Sequence, residues 1–170
     1  MKRVLPFVCL ALASIFSLSA LAALPERFFE VSPGIYRSAQ PQVDDMQDLK
    51  ELGIKTILTL SDDMAAVTAE RRAARALGIV FISHPMDGFW APEDSHVDAT
   101  LAVLKDTNNY PILVHCKHGQ DRTGVIIGLH RVLAEGWQPE HAYEEMLDRG
   151  FHRILIFLKG YFKDRVGLDD

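Results

Sequence analysis

The sequence predicts one α/β domain in which a central, mainly parallel sheet is flanked by helices on both faces. Short β-branched and apolar runs alternate along the chain with longer amphipathic runs, which is typical of such sheets. The unbroken apolar run at residues 111–115 suits a strand at the centre of a parallel sheet. The chain has 170 residues, of which 48% are hydrophobic, enough for one core.

The first half of the chain is predicted to alternate strands with helices that end at glycines. Gly53 and Gly78 follow the two amphipathic runs, as expected after the last turn of a helix. The predicted elements are a strand at 34–37, a helix at 43–52, a strand at 54–60, a helix at 65–77 and a strand at 79–83.

The second half is predicted to begin with a loop at residues 85–92, which contain Pro, Gly and two aromatic residues without periodicity. Asp94 or Ser95 is expected to cap the helix that follows. The remaining predicted elements are this helix to about residue 105, the strand at 111–115, and helices at 122–134, 140–148 and 153–166.

The N-terminal residues have the pattern of a secretory signal peptide. Lys2 and Arg3 precede an apolar run at 4–21, and small residues follow it. We therefore expect cleavage after Ala22, which leaves residues 23–170 as a single domain in the periplasm or outside the cell. The apolar run is also long enough for a membrane anchor, but its small-residue end and the polar residues 25–27 favour removal.

The rest of the chain is acidic and contains one cysteine. The whole sequence has 18 Lys and Arg against 23 Asp and Glu, and residues 1–22 hold two of the basic residues and no acidic one, which leaves a net charge of −7. Such a charge predicts no general attraction to nucleic acid or to an anionic membrane. Because Cys9 lies in the predicted leader, Cys116 remains as either a reactive thiol or a core residue.

The residues around Cys116 predict an anion site. A predicted strand ends at His115, and the segment from Cys116 to Arg122 leads into a helix. Backbone N–H groups of such a loop converge at the helix N-terminus, where the helix dipole adds positive potential. The guanidinium of Arg122 is suited to holding two oxygens of a phosphate. Gly119 and Gly124 are expected to permit backbone geometry and close approach that a side chain would hinder.

The same potential favours Cys116 as a thiolate at neutral pH. Beneath a bound phosphate, a thiolate is placed to attack phosphorus and form a phosphocysteine. We expect the Thr123 hydroxyl to donate to the sulfur when that intermediate is hydrolysed. His115 is expected to be a buried residue that orients the loop backbone rather than a base.

Other interpretations of this loop fit less well. A buried structural cysteine has no need of an arginine six positions later. His115, Cys116 and His118 lie too close together in one tight loop for tetrahedral zinc, so neither a metal nor a cofactor is predicted. A nucleotide-binding loop would end in Gly-Lys-Ser or Gly-Lys-Thr, and none is present. A rhodanese-like sulfur transferase also uses a loop cysteine in an α/β domain, and only the resemblance described next makes the Arg-Thr-Gly ending favour phosphate over persulfide.

The order His115, Cys116, two residues, Gly119, two residues and Arg-Thr-Gly resembles the signature of the protein tyrosine and dual-specificity phosphatases. The run Ile-Tyr-Arg-Ser-Ala-Gln-Pro at 35–41 resembles the first strand and turn of small bacterial and fungal members, and His-Cys-Lys-His-Gly resembles exported bacterial ones. The resemblance covers about residues 35–166. It implies a dual-specificity phosphatase-like fold and metal-independent hydrolysis of phosphotyrosine, with phosphoserine and phosphothreonine as further candidates.

The resemblance also implies a general acid, an aspartate on a mobile loop about thirty residues before the cysteine. Asp87 lies 29 positions before Cys116, beside flexible Gly88 and two aromatic residues that would exclude water when the loop closes. Asp94 is the alternative, although it is equally suited to capping a helix.

Residues 117–121 are predicted to bind the substrate together with Arg122. They are Lys117, His118, Gly119, Gln120 and Asp121. Because these residues carry mixed charge, they do not decide whether the substrate is a phosphoprotein or an inositol phosphate or phosphoinositide. The Cys-Lys-X-Gly opening resembles relatives that cleave inositol pyrophosphates, which would need local positive charge from residues such as Arg37, Lys117 and His118. Phe89 and Trp90 favour a phosphotyrosine ring. A phosphate-binding pseudophosphatase is the alternative from another class.

Overall fold

Five short strands form the sheet at the centre of the computed structural model, which describes residues 24–169. In the spatial order β1-β2-β5-β3-β4, every neighbouring pair is parallel except β1 with β2. The mainly parallel sheet predicted from the sequence is therefore confirmed. The strands are β1 (Phe29–Ser32), β2 (Ile35–Ser38), β3 (Thr56–Thr59), β4 (Val80–Ser83) and β5 (Ile112–His115). The predicted signal peptide, including Cys9, lies outside the described residues.

Helices cover both faces of this sheet, as the sequence predicts. They are α1 (Asp45–Glu51), α2 (Met64–Ala76), α3 (Asp94–Lys105), α4 (Asp121–Leu133), α5 (Pro139–Asp148) and α6 (Ile156–Val166). On one face, Leu49 of α1 and Ala74 of α2 pack with Leu113 of β5 in one buried cluster. On the other face, Val114 of β5 packs with residues of α3 to α6, among them Phe162. The two apolar clusters hold the sheet between the two helical layers.

Strand β5 is buried along its whole length and lies between β2 and β3. Its last residue, His115, is in register with Ser38 of β2 and with Thr59 of β3. The carboxyl ends of three parallel strands therefore meet at one edge of the sheet. Ligands bind at this edge in open α/β folds, and here the edge leads directly into the loop that contains Cys116.

Three details differ from the sequence-based prediction. Strand β1 was not predicted, because its residues are half exposed and form only a short edge strand. Helix α3 begins at Asp94 with Glu93 as its N-terminal cap, so the prediction that Asp94 or Ser95 caps it is wrong. Helix α6 begins at Ile156, three residues later than predicted.

Within the described residues, no helix combines the length and the hydropathy required to cross a bilayer.

Candidate active site

Residues 115–124, here called the signature loop, connect β5 to the N-terminus of α4. The Cys116 side chain is only 2% exposed and lies in the larger apolar cluster. In residues 117–120, no backbone N–H donates a hydrogen bond to another described residue. These groups and the free N–H groups of the first turn of α4 are the donors that an anion requires.

Gly119 allows the signature loop to rest directly on β2. Its φ of +68° is a left-handed value, and a Cβ there would lie 2.6 Å from the Ala39 nitrogen and collide with the Ser38 carbonyl. The buried Arg37 donates from Nη2 to the Gly119 carbonyl oxygen at 2.8 Å. Burial lowers the pKa of Arg37 to about 10, an effect that the charges of Glu145 and Cys116 partly offset. Arg37 supports the loop from within, so it adds no exposed positive charge to the rim.

Gly124 does not have the close contact that the sequence led us to expect. A Cβ at this position would lie 3.6 Å from the Phe151 ring, which is an ordinary van der Waals distance. The tight contact is one turn further along α4, at Gly128, where a Cβ would lie 2.7 Å from Met146 Sδ and 2.9 Å from the Phe162 ring. The expectation for Gly124 is therefore wrong, and Gly128 is the glycine that lets α4 approach α5 and α6.

The side chain of Arg122 is held in place by hydrogen bonds from one end of its guanidinium. Nη1 donates to Asp62 Oδ1 at 2.6 Å and to the Met86 carbonyl oxygen at 3.0 Å. Partial burial acts to raise the pKa of Asp62, but the hydrogen bond and the charge of Arg122 lower it below its usual range. Asp62 was not identified from the sequence, because a polar residue between a strand and a helix gives no distinctive signal. Its contact fixes the orientation of the guanidinium.

His115 is fully buried beneath the loop, and both of its ring nitrogens have neighbours. Nδ1 lies 3.3 Å from the Cys116 carbonyl oxygen, and Nε2 lies 2.7 Å from Glu70 Oε1. Glu70 is itself 2% exposed and accepts a hydrogen bond from Gln40 Nε2 at 3.0 Å. This arrangement fits the orienting role expected for His115. Glu70 was missed because a glutamate in an Ala-, Arg- and Glu-rich helix ordinarily faces solvent.

Asp87 lies on the loop that passes over Arg122. A Cβ at the neighbouring Gly88 would lie 3.9 Å from Arg122 Cζ. Asp87 Oδ1 accepts hydrogen bonds from the backbone N–H groups of Phe89 at 2.7 Å and Trp90 at 2.8 Å. These two bonds, Trp90 first, lower the pKa of the carboxyl group, and the charge of Arg122 lowers it further. The carboxylate therefore has a structural contact within its loop that the sequence did not reveal.

Asp94, the alternative acid, is bound to α6 instead. It accepts hydrogen bonds from Tyr161 Oη and from Arg165 Nη1, both at 2.9 Å. The Tyr161 hydrogen bond and then that of Arg165 lower the pKa of Asp94. Asp94 thus connects α3 to α6, whereas the Asp87 loop contacts the guanidinium of the signature loop.

The predicted substrate-binding residues of the loop face different surroundings. Lys117 and His118 are exposed and line a cavity of about 330 Å³ together with Gln40, Asp63 and residues of α2. Both side chains of this part of the signature loop are therefore available to a ligand.

Gln120 and Asp121 instead contact the connection between α5 and α6. The Gln120 side chain approaches Gly150, and Asp121 Oδ1 accepts a hydrogen bond from the His152 N–H at 2.8 Å. Thr123 Oγ1 is buried and has no hydrogen-bond partner among residues 24–169. The expected donation to the Cys116 sulfur is thus not formed in this conformation. Across the same residues, no group of three or more His, Cys, Asp or Glu side chains is arranged to hold a metal ion.

The chain matches the model of the tyrosine phosphatase family over residues 23–153. It is 31% identical to the dual specificity protein phosphatase TpbA of Pseudomonas aeruginosa strain PAO1 over 124 residues, which cover 72% of this chain and 54% of TpbA. It is 33% identical to the inositol diphosphatase DSP3 of Arabidopsis thaliana over 129 residues, which cover 72% and 62%. The chain thus spans only about half to two thirds of the length of these relatives.

Solved structures show the same fold. The core catalytic domain of the PP-IP phosphatase SIW14 from S. cerevisiae, in complex with citrate, matches with a TM-score of 0.71 and 27% identity, over 86% of this chain and 92% of that one. P. aeruginosa TpbA in complex with pTyr matches with a TM-score of 0.70 and 27% identity, over 84% and 87%. One of these neighbours is named a PP-IP phosphatase and the other contains pTyr, so both the inositol phosphate class and the phosphotyrosine class occur among them.

Proposed function

The chain belongs to the tyrosine phosphatase family, and we propose that it is a cysteine-dependent phosphatase that hydrolyses phosphotyrosine in proteins. The observation that carries this proposal is the signature loop, in which Cys116 and the held guanidinium of Arg122 lie at the N-terminus of α4. The backbone N–H groups of residues 117–120, which donate to no other residue of 24–169, complete a site for the three non-bridging oxygens of a phosphate.

In the proposed first step, the Cys116 thiolate attacks phosphorus, and a sulfur–phosphorus bond forms as the bond to the tyrosine oxygen breaks. Asp87 donates a proton to that leaving oxygen. Arg122 and the backbone N–H groups of the loop stabilise the charge on the transferring phosphoryl group.

In the second step, water attacks phosphorus and gives its proton to the Asp87 carboxylate, while the thiolate of Cys116 leaves. The Thr123 hydroxyl, which has no other partner within residues 24–169, donates to the departing sulfur. The reaction returns inorganic phosphate and requires no further reactant besides water.

The charges around the site support phosphotyrosine as the substrate. Lys117 and His118 are the exposed basic side chains of residues 117–121, while Asp62 and Asp63 lie on the neighbouring connection. An inositol polyphosphate carries many negative charges and would meet these two cations beside two aspartates, with the exposed His152 and Arg153 as the basic residues of the connection that contacts Asp121. The relative TpbA, whose structure contains pTyr, supports the same assignment.

An inositol diphosphatase is the second candidate function. The cavity lined by Lys117 and His118 is continuous with the signature loop and offers room for a second phosphate group. The relatives named inositol diphosphatases and PP-IP phosphatase support this alternative.

Hydrolysis assays distinguish the candidates. The protein is incubated with a phosphotyrosine peptide and, separately, with a diphosphoinositol polyphosphate, in the presence of a metal chelator. We expect turnover of the peptide that survives the chelator and disappears in Cys116→Ser. A preference for the inositol substrate would establish the second candidate. Binding of the phosphopeptide without turnover would indicate a pseudophosphatase.

We also propose that the protein is a small bacterial phosphatase of the exported type. The pattern of Lys2, Arg3, the apolar run and the small residues up to Ala22 supports export with cleavage after Ala22. N-terminal sequencing of the protein from a periplasmic fraction tests this: a mature chain that starts at Ala23 is expected, and an uncleaved chain in the membrane fraction would contradict it.

A further inference from the structure

A group of large apolar side chains is exposed beside the signature loop. This apolar patch consists of Phe89, Trp90, Ile154, Ile156 and Phe157, which are 44%, 56%, 79%, 56% and 37% exposed. The three aromatic rings contact one another, with centroid distances between 4.6 and 5.4 Å. Ile154 and Ile156 closely precede Phe157 in the chain. Isolated exposed apolar residues are common, but a larger exposed apolar group marks a binding surface.

Both halves of the apolar patch are connected to the signature loop. Phe89 and Trp90 belong to the loop that passes over Arg122, because the Cβ position of Gly88 lies 3.9 Å from Arg122 Cζ. The connection that contains Ile154 is attached through Asp121, which accepts the hydrogen bond from the His152 N–H. The two segments that carry the patch therefore adjoin the signature loop that contains Cys116.

We propose that the apolar patch binds an apolar side chain of the substrate protein, within a few residues of the phosphotyrosine. This inference rests on the proposed function and narrows its substrate class. An aliphatic or aromatic side chain that covers exposed Ile and Phe surface removes apolar area from water on both partners. The five side chains of the patch are uncharged, so they bind an apolar side chain rather than a phosphate group; the nearest exposed basic residues in the chain are His152 and Arg153, directly before Ile154.

The charge of the protein favours a peptide over a lipid surface as the occupant. The whole chain has a net charge of −5, which opposes approach to an anionic bilayer. The two segments that carry the patch also contact Arg122 and Asp121 of the signature loop, so the residues that flank a bound phosphotyrosine lie near the patch.

Two phosphopeptides that differ only in the residues flanking the phosphotyrosine test the proposal. One carries leucines at these positions and the other carries serines. We expect kcat/KM to be about tenfold higher for the leucine peptide, since partial burial of one or two leucines supplies such a factor. The variant Ile154→Ser with Ile156→Ser should lose most of this preference while it retains hydrolysis of p-nitrophenyl phosphate.

A matched control changes two apolar residues of similar exposure elsewhere on the surface. Leu52 and Val80 are 51% and 49% exposed, and Leu52→Ser with Val80→Ser should retain the preference for leucine. The comparison of the two peptides with the unchanged protein needs no variant, so it remains decisive even if a double variant fails to fold.

The outcomes separate this inference from the proposed function. Absence of p-nitrophenyl phosphate hydrolysis by the unchanged protein would refute the phosphatase itself. Hydrolysis with equal kcat/KM for both peptides would refute only the apolar patch as a substrate site. The protein is also sedimented with phosphatidylcholine or phosphatidylglycerol vesicles. If it binds the vesicles, if Ile154→Ser with Ile156→Ser abolishes that binding, and if the two peptides have equal kcat/KM, the patch binds a membrane and the proposal is overturned.

Discussion

The substitution Asp87→Asn tests the assignment of the general acid with little disturbance of the loop. Asp87 Oδ1 accepts hydrogen bonds from Phe89 and Trp90, and an asparagine amide oxygen accepts the same two bonds. The variant therefore removes the transferable proton and leaves the loop conformation in place. General acid catalysis contributes about 100- to 10,000-fold, so we expect kcat on a phosphotyrosine peptide to fall by at least about 100-fold.

The loss of activity in Asp87→Asn should depend on the leaving group of the substrate and on pH. p-Nitrophenol leaves readily without a proton, so its phosphate ester needs little general-acid catalysis. The kcat of Asp87→Asn on p-nitrophenyl phosphate should therefore fall by less than about tenfold. Because the hydrogen bonds to Trp90 and Phe89 lower the pKa of Asp87, its acidic form declines at a lower pH than that of an ordinary aspartate. We expect kcat/KM of the unchanged protein to fall as pH rises through this pKa, and Asp87→Asn to lack that descending limb.

Asp94→Asn is the matched control, because Asp94 is occupied by Tyr161 and Arg165 rather than by the signature loop. It should retain the rate, the leaving-group dependence and the pH profile. Steady-state kinetics with both esters, from about pH 3, below the ordinary aspartate pKa, to pH 8, provide the measurement. A larger loss in Asp94→Asn than in Asp87→Asn, or an unchanged descending limb in Asp87→Asn, would refute the assignment.

Two further pairs of variants, each a test with its matched control, probe two glycines of the signature loop and two arginine ion pairs, one of α4 and one of α6. Gly119→Ala should destabilise the protein by roughly 2–4 kcal/mol, because an alanine there has a strained left-handed backbone and collides with β2. Gly124→Ala, the control, should be neutral or slightly stabilising. Urea unfolding measures both variants, and equal stability of the two would contradict the account. Arg131→Met should cost about 3–5 kcal/mol in thermal unfolding, since the buried guanidinium binds both oxygens of Glu145, and Arg165→Met, whose ion pairs are exposed, should cost clearly less.

The order of the elements and the position of the site could be predicted from the sequence because each has a local signal. The apolar run of β5 and Gly119 of the signature loop are local features: the run forms the central strand, and Gly119 has a left-handed φ that glycine adopts readily. The loop of Asp87 was also predicted from its composition. Local signals of this kind survive folding because they reflect the conformations available to a short segment.

The supporting contacts could not be predicted because they join residues far apart in sequence. Glu70 contacts His115 across 45 positions, and Arg37 binds the carbonyl oxygen of Gly119 across 82. A buried charge has no signature in its own neighbourhood, since its burial depends on the partner that the fold brings to it. Asp62 is exposed, and it was missed because its partner Arg122 lies 60 positions away. The tight contact of Gly128 likewise depends on Met146 and Phe162, which belong to other helices.

The most direct test of the account is the detection of phosphate on Cys116 during turnover. The protein is mixed with a phosphotyrosine peptide, quenched with acid within milliseconds, digested and analysed by mass spectrometry, with Cys116→Ser as the control. We predict a phosphorylated peptide that contains Cys116, which disappears when the substrate is exhausted, and no turnover by Cys116→Ser. Substrate hydrolysis that continues in Cys116→Ser, with no phosphocysteine in the unchanged protein, would contradict the central claim.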